Sequence, residues 1–261
     1  ITVTVSVEMR NFDCTGAANT PTLNAPYGNP MQIFGYVNMT DGVNKTINNI
    51  DFVGYGALDV DLGTMGNVSY PSFWGSGSWT LQSDVSCATF AMYKGSVDLN
   101  GYDVTCGIDF KEGNFNASTY FLGSGNIYCR DFIIQSSNAT INSETANIHC
   151  RRDFKGQGFS YYHLTLLEEG SIYQSNEFEI LEFAPGVLSK IEANSTQTIN
   201  QSLLAEGTPS LPVSISSTQS GVQATFNKSS GVVDALYVIL QDNNATGGAT
   251  FNATQAVNNG N

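Results

Sequence analysis

The sequence predicts an all-β protein of two β-sandwich domains preceded by an extended N-terminal strand. Three observations carry that expectation. Short alternating or apolar runs recur between Gly, Asn and Ser clusters throughout the chain. Helical periodicity is almost absent, so no segment asks for a 3.6-residue apolar stripe. The chain opens on ITVTVSVEMR, a β-branched alternating segment, and such residues favour the pleated, half-buried state.

The opening segment is the first element. Side chains alternate across a strand, so Ile1, Val3, Val5, Val7 and Met9 share one face and Thr2, Thr4, Ser6, Glu8 and Arg10 the other. Ten extended residues span roughly 33 Å at ~3.3 Å each. An apolar stripe at a terminus needs a groove, in its own molecule or in a neighbour. Residues 1–12 are assigned as this extended strand, which either pairs within its own sandwich as an ordinary first strand or is donated to a neighbour.

Residues 13–184 form the first predicted domain, with strand runs at 32–38, 50–60, 78–81, 85–93, 102–110, 126–134, 158–167 and 177–183. Evenly spaced short strands with turn signals between them suggest an Ig-like or pilin-like sandwich. Aromatics concentrate here: Trp74, Trp79, Phe90, Tyr93, Phe110, Phe132, Phe159, Tyr161 and Tyr162. Core and cross-strand packing is their expected role, with a carbohydrate-binding platform as the alternative. Ala184-Pro185-Gly186 is a breaker. Residues 185–261 form the second predicted domain, a smaller Ser/Thr/Asn-rich sandwich. Leu211, Val213 and Ile215 alternate there, as do Val222, Ala224 and Phe226, and Ala249, Phe251 and Ala253. Residues 232–240, VVDALYVIL, read as a central buried strand.

Composition excludes several partners. Charged residues are 13% of the chain, against about 25% in typical soluble domains. Lys and Arg number 10 against 23 acids, for a net charge of −13. Nucleic-acid binding needs a basic patch, and the nearest approach to one is Arg151, Arg152 and Lys155 in a turn. No run of 18 apolar residues marks a membrane span. A removed secretory leader is the simplest expectation from Ile1 in place of Met, and a trimmed chain would begin the same way. Few carboxylates also means little to lose on acidification, which suits an acidic extracellular setting.

Asn-x-Ser/Thr occurs at Asn38, Asn44, Asn67, Asn116, Asn138, Asn194, Asn200, Asn227, Asn244 and Asn252. Chance gives roughly five in such a composition, so ten is an excess. Covalent N-glycans are expected, and no cofactor. Of the five cysteines, none forms CxxC, which removes zinc-ribbon and thioredoxin readings. A secreted chain uses them as disulfides plus one left over. Five cysteines leave roughly 15 two-bridge arrangements. Cys87–Cys106 and Cys129–Cys150 each join nearby strands and are favoured; Cys14 is then either free, bridged at the base of the terminal strand, or bridged to a neighbouring subunit.

Catalytic motifs are absent: the chain contains no HExxH, GxSxG or P-loop pattern. The two histidines are His149 and His163, and His149 reads as structural. Asp59 and Asp61, with Asn67 nearby, lack the remaining spacing of a calcium loop, so no metal site is assigned. Glu168-Glu169 and Glu177, Glu179 and Glu182 are the candidates for a glycosidase carboxylate pair. Glu177 and Glu179 fall on one side of a strand, where a solvated face is the default. No catalytic residue is assigned.

A terminal β-branched strand can complete an open sheet in a neighbour, with main-chain hydrogen bonds for affinity and alternate pockets for register. Five buried apolar side chains would contribute on the order of 10 kcal/mol before ordering costs. A low-charge, sequon-rich, two-part β protein with such a strand resembles the subunit of archaeal threads. These are the thin extracellular filaments of thermoacidophilic archaea. The resemblance is one of overall organisation, and ITVTVSVEM looks like the donor strand of that family. It implies a secreted cell-surface appendage built from identical subunits in an open head-to-tail homopolymer, serving adhesion or biofilm formation. The alternative is a secreted or surface-layer adhesin or lectin that touches cell-surface glycans as a discrete molecule. A jelly-roll hydrolase is the third reading.

Overall fold

The computed structural model describes residues 7–16, 22–25, 30–39, 44–62, 68–113 and 117–260. Among them there is no helix, as the missing 3.6-residue periodicity implies. Every strand pairing described is parallel. The expected antiparallel-type sandwiches are therefore corrected: the strands coil as a parallel β-solenoid, without Ig-like or pilin-like domains. Alternation along one strand is the same in both architectures, because each buries one face. They differ in where the partner strand lies in sequence. Here it is the equivalent strand of the next coil, and the turn clusters are corners between faces rather than hairpins.

Two compact units divide the chain: Ile1–Cys129 with Ile134–Ala146, and Arg130–Ile133 with Asn147–Asn261. The predicted break at Ala184–Gly186 is a corner inside the second unit. Leu188–Ile191 stacks on Gly170–Tyr173, and Thr196–Ala205 stacks on Glu177–Phe183.

Among the described residues of the first unit, strands stack in three columns. One column contains Val85–Cys87 and Val104–Cys106, the next Phe90–Met92 and Asp109–Glu112. The third runs Phe12–Asp13, Val37–Asn38, Ala57–Asp61, Ser78–Leu81, Gly95–Asp98, Ser118–Phe121 and Thr140–Asn142. Register partners in that column stand roughly 18 to 25 residues apart along the chain. Val7–Met9 pairs with Met31–Ile33 of its own chain. Ile1, Val3 and Val5 of the predicted donor strand lie outside the described residues.

Parallel in-register stacking puts each inward side chain on its equivalent in the next coil. Ile33, Phe52, Phe73 and Met92 form one such ladder. Phe52 stacks on Phe73 at 4.6 Å and Phe90 on Phe110 at 5.3 Å between ring centroids, with planes within 12° of parallel. All of these rings are fully buried. Each buried Phe contributes about 1.5–3 kcal/mol, and offset stacking adds about 0.5–1.5 kcal/mol per pair. Trp79, Phe132 and Tyr161 also fill the core, as the sequence implies. Trp74 does not: it is 49% exposed and lies flat on Tyr93 at 3.7 Å.

The second unit has two main columns. One runs Asn147–Cys150, Ser160–Leu166, Glu177–Phe183, Thr196–Ala205, Ala224–Asn227 and Asn243–Thr246. The other runs Asp131–Ile133, Phe154–Lys155, Gly170–Tyr173, Leu188–Ile191, Val213–Ser217, Val238–Gln241 and Val257–Asn258. Spacing between register partners ranges from roughly 16 to 29 residues. VVDALYVIL is not one central strand. Tyr237, at φ 48°, turns the chain between Val232–Leu236 and Val238–Gln241, and Val232 is exposed.

Corners must pass close to the coil beneath. A Cβ on Gly75 would lie 2.2 Å from the Gly54 carbonyl oxygen, and one on Gly54 would lie 2.3 Å from that of Phe34. Both obstacles are backbone, so neither moves aside cheaply. Gly75→Ala is expected to destabilise the first unit by at least about 2 kcal/mol, read as a fall in the thermal midpoint followed by circular dichroism. An unchanged midpoint would contradict the tight corner.

Candidate functional site

A polar constellation with two neighbouring glutamates lies on the outward face of three adjacent strands, Ser160–Leu166, Glu177–Phe183 and Thr196–Ala205. Their inward positions are apolar at Tyr161, Leu164, Leu166, Phe178, Leu181, Phe183 and Ile199, all buried, and polar at the fully buried Gln197. Alternation then turns Glu177 and Glu179 to the same side, as the sequence suggests.

A β-bulge shapes this face. Phe178 pairs with Ile199, but Ile180 pairs with Ser202, so Glu179 faces two residues, Asn200 and Gln201. Bulges re-aim side chains and free backbone groups from the ladder. Asn200 Nδ2 donates to Glu177 Oε1 at 2.8 Å and to Glu179 Oε1 at 2.9 Å. Gln201 Nε2 donates to Glu179 Oε2 at 2.9 Å. Ser160 Oγ donates to Glu177 Oε2 at 2.8 Å. Behind the bulge lies Lys228, 5% exposed. Its Nζ donates to the carbonyls of Asn200 at 3.3 Å and Gln201 at 2.7 Å. Those carbonyls are the ones that the bulge displaces, and an unpaired buried carbonyl is costly.

A second cluster shares the face. His163 Nε2 lies 3.0 Å from Glu182 Oε2, and His163 Nδ1 lies 3.2 Å from Asn147 Oδ1. Thr165 Oγ1 donates to Glu182 Oε2 at 3.1 Å. His149, on the strand that pairs with Ser160–Leu166, is half-buried.

These groups hold one another. The hydrogen bonds from Asn200 and Ser160 pull the Glu177 carboxyl below its ordinary value of 4.5. A glycosidase acid requires the opposite shift. The arrangement suits an ionised, hydrogen-bond-accepting surface rather than proton donation.

Other sequence candidates are dispersed. Glu168 and Glu169 line a separate open cleft of about 390 Å³ with Arg152, Asp153 and Lys190. Arg152 is exposed, Arg151 is half-buried, and the Lys155 amine sits 5.1 Å from the Tyr173 ring centre. Asp59 and Asp61 face a shallow cleft with Tyr36, Asn38 and Gln82, and Gln82 Nε2 donates to Asp59 Oδ1 at 3.0 Å. Among the described residues, no three His, Cys, Asp or Glu side chains gather as metal ligands.

Sequon asparagines differ in access. Asn138, Asn194, Asn200 and Asn252 are exposed, whereas Asn38, Asn227 and Asn244 are half-buried. Asn38 Nδ2 donates to Thr15 Oγ1, and Asn252 Nδ2 donates to Asp234 Oδ1. Asn44 starts a strand, while Asn67 and Asn116 lie outside the described residues. Asn200 has both amide protons committed to glutamates, and a glycan there would release one of them.

Among the cysteines, Cys87 and Cys106 are register partners with Sγ atoms 3.9 Å apart. Cys150 Sγ lies 3.3 Å from the carbonyls of Arg130 and Asp153. Cys129 is buried. Cys14 is half-buried, and burial raises its thiol pKa.

Sequence reasoning missed the bulge, the Lys228 cap and a buried carboxylate. Glu112 follows Met92 in a core ladder, and its Oε2 accepts from the backbone N–H groups of Gln135 and Ser136 at 3.0 and 2.8 Å. One signal was available: Lys228 is the only Lys or Arg after residue 190.

No family model, curated protein or solved structure matches the chain. The resemblance to archaeal threads therefore stands on sequence organisation alone.

A depressed carboxylate contributes stability above its unfolded value and loses it as pH falls through the folded value. Glu177 should therefore titrate below 4.5 when followed by carboxyl-carbon NMR on unglycosylated protein. In Asn200→Ala the same resonance should move back towards 4.5. An identical titration in both proteins would contradict the clamp.

Proposed function

We propose that the protein is a structural subunit of an extracellular filament. Subunits join head to tail through parallel strand addition at open coil edges. One observation carries the reading. Among the described residues, Val7–Met9 is paired on one side only, by Met31–Ile33. Among the described residues, Asn243–Thr246 and Val257–Asn258 of the second unit are likewise paired on one side only, by Ala224–Asn227 and Val238–Gln241.

Open edges are normally blunted by charge, proline or a covering element. Residues 243–261 contain no charged residue and no proline. A parallel rung with free N–H and C=O groups is a template for another rung. A contact between two different surfaces of like subunits does not close, so it propagates. The donor role of Ile1, Val3, Val5, Val7 and Met9 takes a different form in this reading. The strand joins an edge as a further rung instead of filling a groove between sandwich sheets. Secretion, N-glycans and a role in adhesion or biofilm formation belong to the same proposal, and no catalytic role or cofactor is assigned.

The alternative, a discrete adhesin or lectin, draws on the exposed rings of the first unit. Phe34, Tyr36, Tyr55 and Trp74 are all exposed, Tyr55 at 76%. Glycan-array binding by a strictly monomeric protein, lost in Tyr55→Ala/Trp74→Ala, would favour it.

Deleting residues 1–9 should abolish filaments in negative-stain electron microscopy and leave the far-ultraviolet β signal in place. Ala245→Lys/Val257→Lys, which puts charge on Asn243–Thr246 and Val257–Asn258, should do the same. Filaments that persist in both variants would refute strand addition at these edges.

A further inference from the structure

We infer that Cys87 and Cys106 form a disulfide that staples two successive coils of the first unit. The two residues face each other in parallel register, at the ends of Val85–Cys87 and Val104–Cys106. Neighbouring strands lie about 4.7–4.9 Å apart, within the Cα separation of about 4.4–6.8 Å that a disulfide spans. Both side chains point inward and are buried, at 8% and 2% exposure. Both are free thiols in this structure, and their sulfurs are already in van der Waals contact at 3.9 Å. Cys150 is engaged elsewhere, with the carbonyls of Arg130 and Asp153.

The step is a thiol–disulfide exchange. One thiol loses its proton and attacks a small-molecule disulfide such as oxidised glutathione, expelling one thiolate. The second cysteine then attacks the mixed disulfide and expels the other. One S–S bond forms in the protein, one breaks in the oxidant, and two thiols are released. In the folded chain the Cys87 thiol is held protonated by its contact with Cys106 and by burial. The bond forms in an oxidising medium, and both sulfurs are buried once the coil is closed. The staple ties a coil to its neighbour whether or not subunits polymerise, so it stands independently of the filament reading.

The test uses the full chain, refolded with reduced and oxidised glutathione and also recovered from a secretory host. The protein is denatured without reductant, alkylated with iodoacetamide, digested and mapped by mass spectrometry. The expected result is a cross-linked peptide pair containing Cys87 and Cys106. Reduction should lower the thermal midpoint by roughly 5–10 °C, and Cys87→Ser/Cys106→Ser should lose that sensitivity to reductant. Carbamidomethyl on both cysteines, or either one bridged to a different cysteine, would overturn the assignment. The single variant Cys106→Ser provides a second check: Cys87 should become alkylated in it, and a Cys87 that stays bridged would also overturn the assignment.

Discussion

Inward side chains stacked on their equivalents one coil away are the interaction on which the rest of this structure depends. Parallel pairing fixes rungs about 4.8 Å apart, so what lies above a side chain is set by register and not by choice of rotamer. Phe52 on Phe73 and Phe90 on Phe110 satisfy that spacing with nearly parallel rings. Corners obey the same spacing, and Gly54 and Gly75 stand where any larger residue would strike the carbonyl of the coil below. Cys87 and Cys106 are adjacent for the same reason.

Departures from regular stacking carry the polar chemistry. The bulge opposite Glu179 inserts a residue into Thr196–Ala205, re-aims Asn200 and Gln201, and displaces two carbonyls that Lys228 then satisfies. Glu112 takes an aromatic or aliphatic rung position and binds two backbone N–H groups. In a solenoid, stability is close to a sum over coils and their interfaces. Such local irregularities are therefore tolerated even though Glu112 Oε1 is buried without a hydrogen-bond partner.

Much of the local structure was legible in the sequence. Alternation placed Trp79, Phe90, Phe110 and Phe132 in the core and put Glu177 and Glu179 on one face. What alternation does not encode is the partner strand. A sandwich strand and a solenoid strand bury one face alike, and the coils here are uneven, with roughly 16 residues between Asn147 and His163 but about 29 between Thr196 and Thr225. No fixed period therefore marks the repeat. VVDALYVIL misled for a related reason: its apolar run hides a corner at Tyr237, a residue that rarely takes positive φ. The bulge was invisible because nothing in TQTINQSLLA distinguishes an extra residue from a regular one.

Parallel in-register stacking is tested most directly by proton NMR of the full chain. The account predicts ring-to-ring NOEs between Phe52 and Phe73 and between Phe90 and Phe110. It also predicts no short Hα–Hα contacts between neighbouring strands, since parallel pairing keeps those protons apart. A set of strong cross-strand Hα–Hα NOEs, the mark of antiparallel pairing, would contradict the solenoid and everything derived from it.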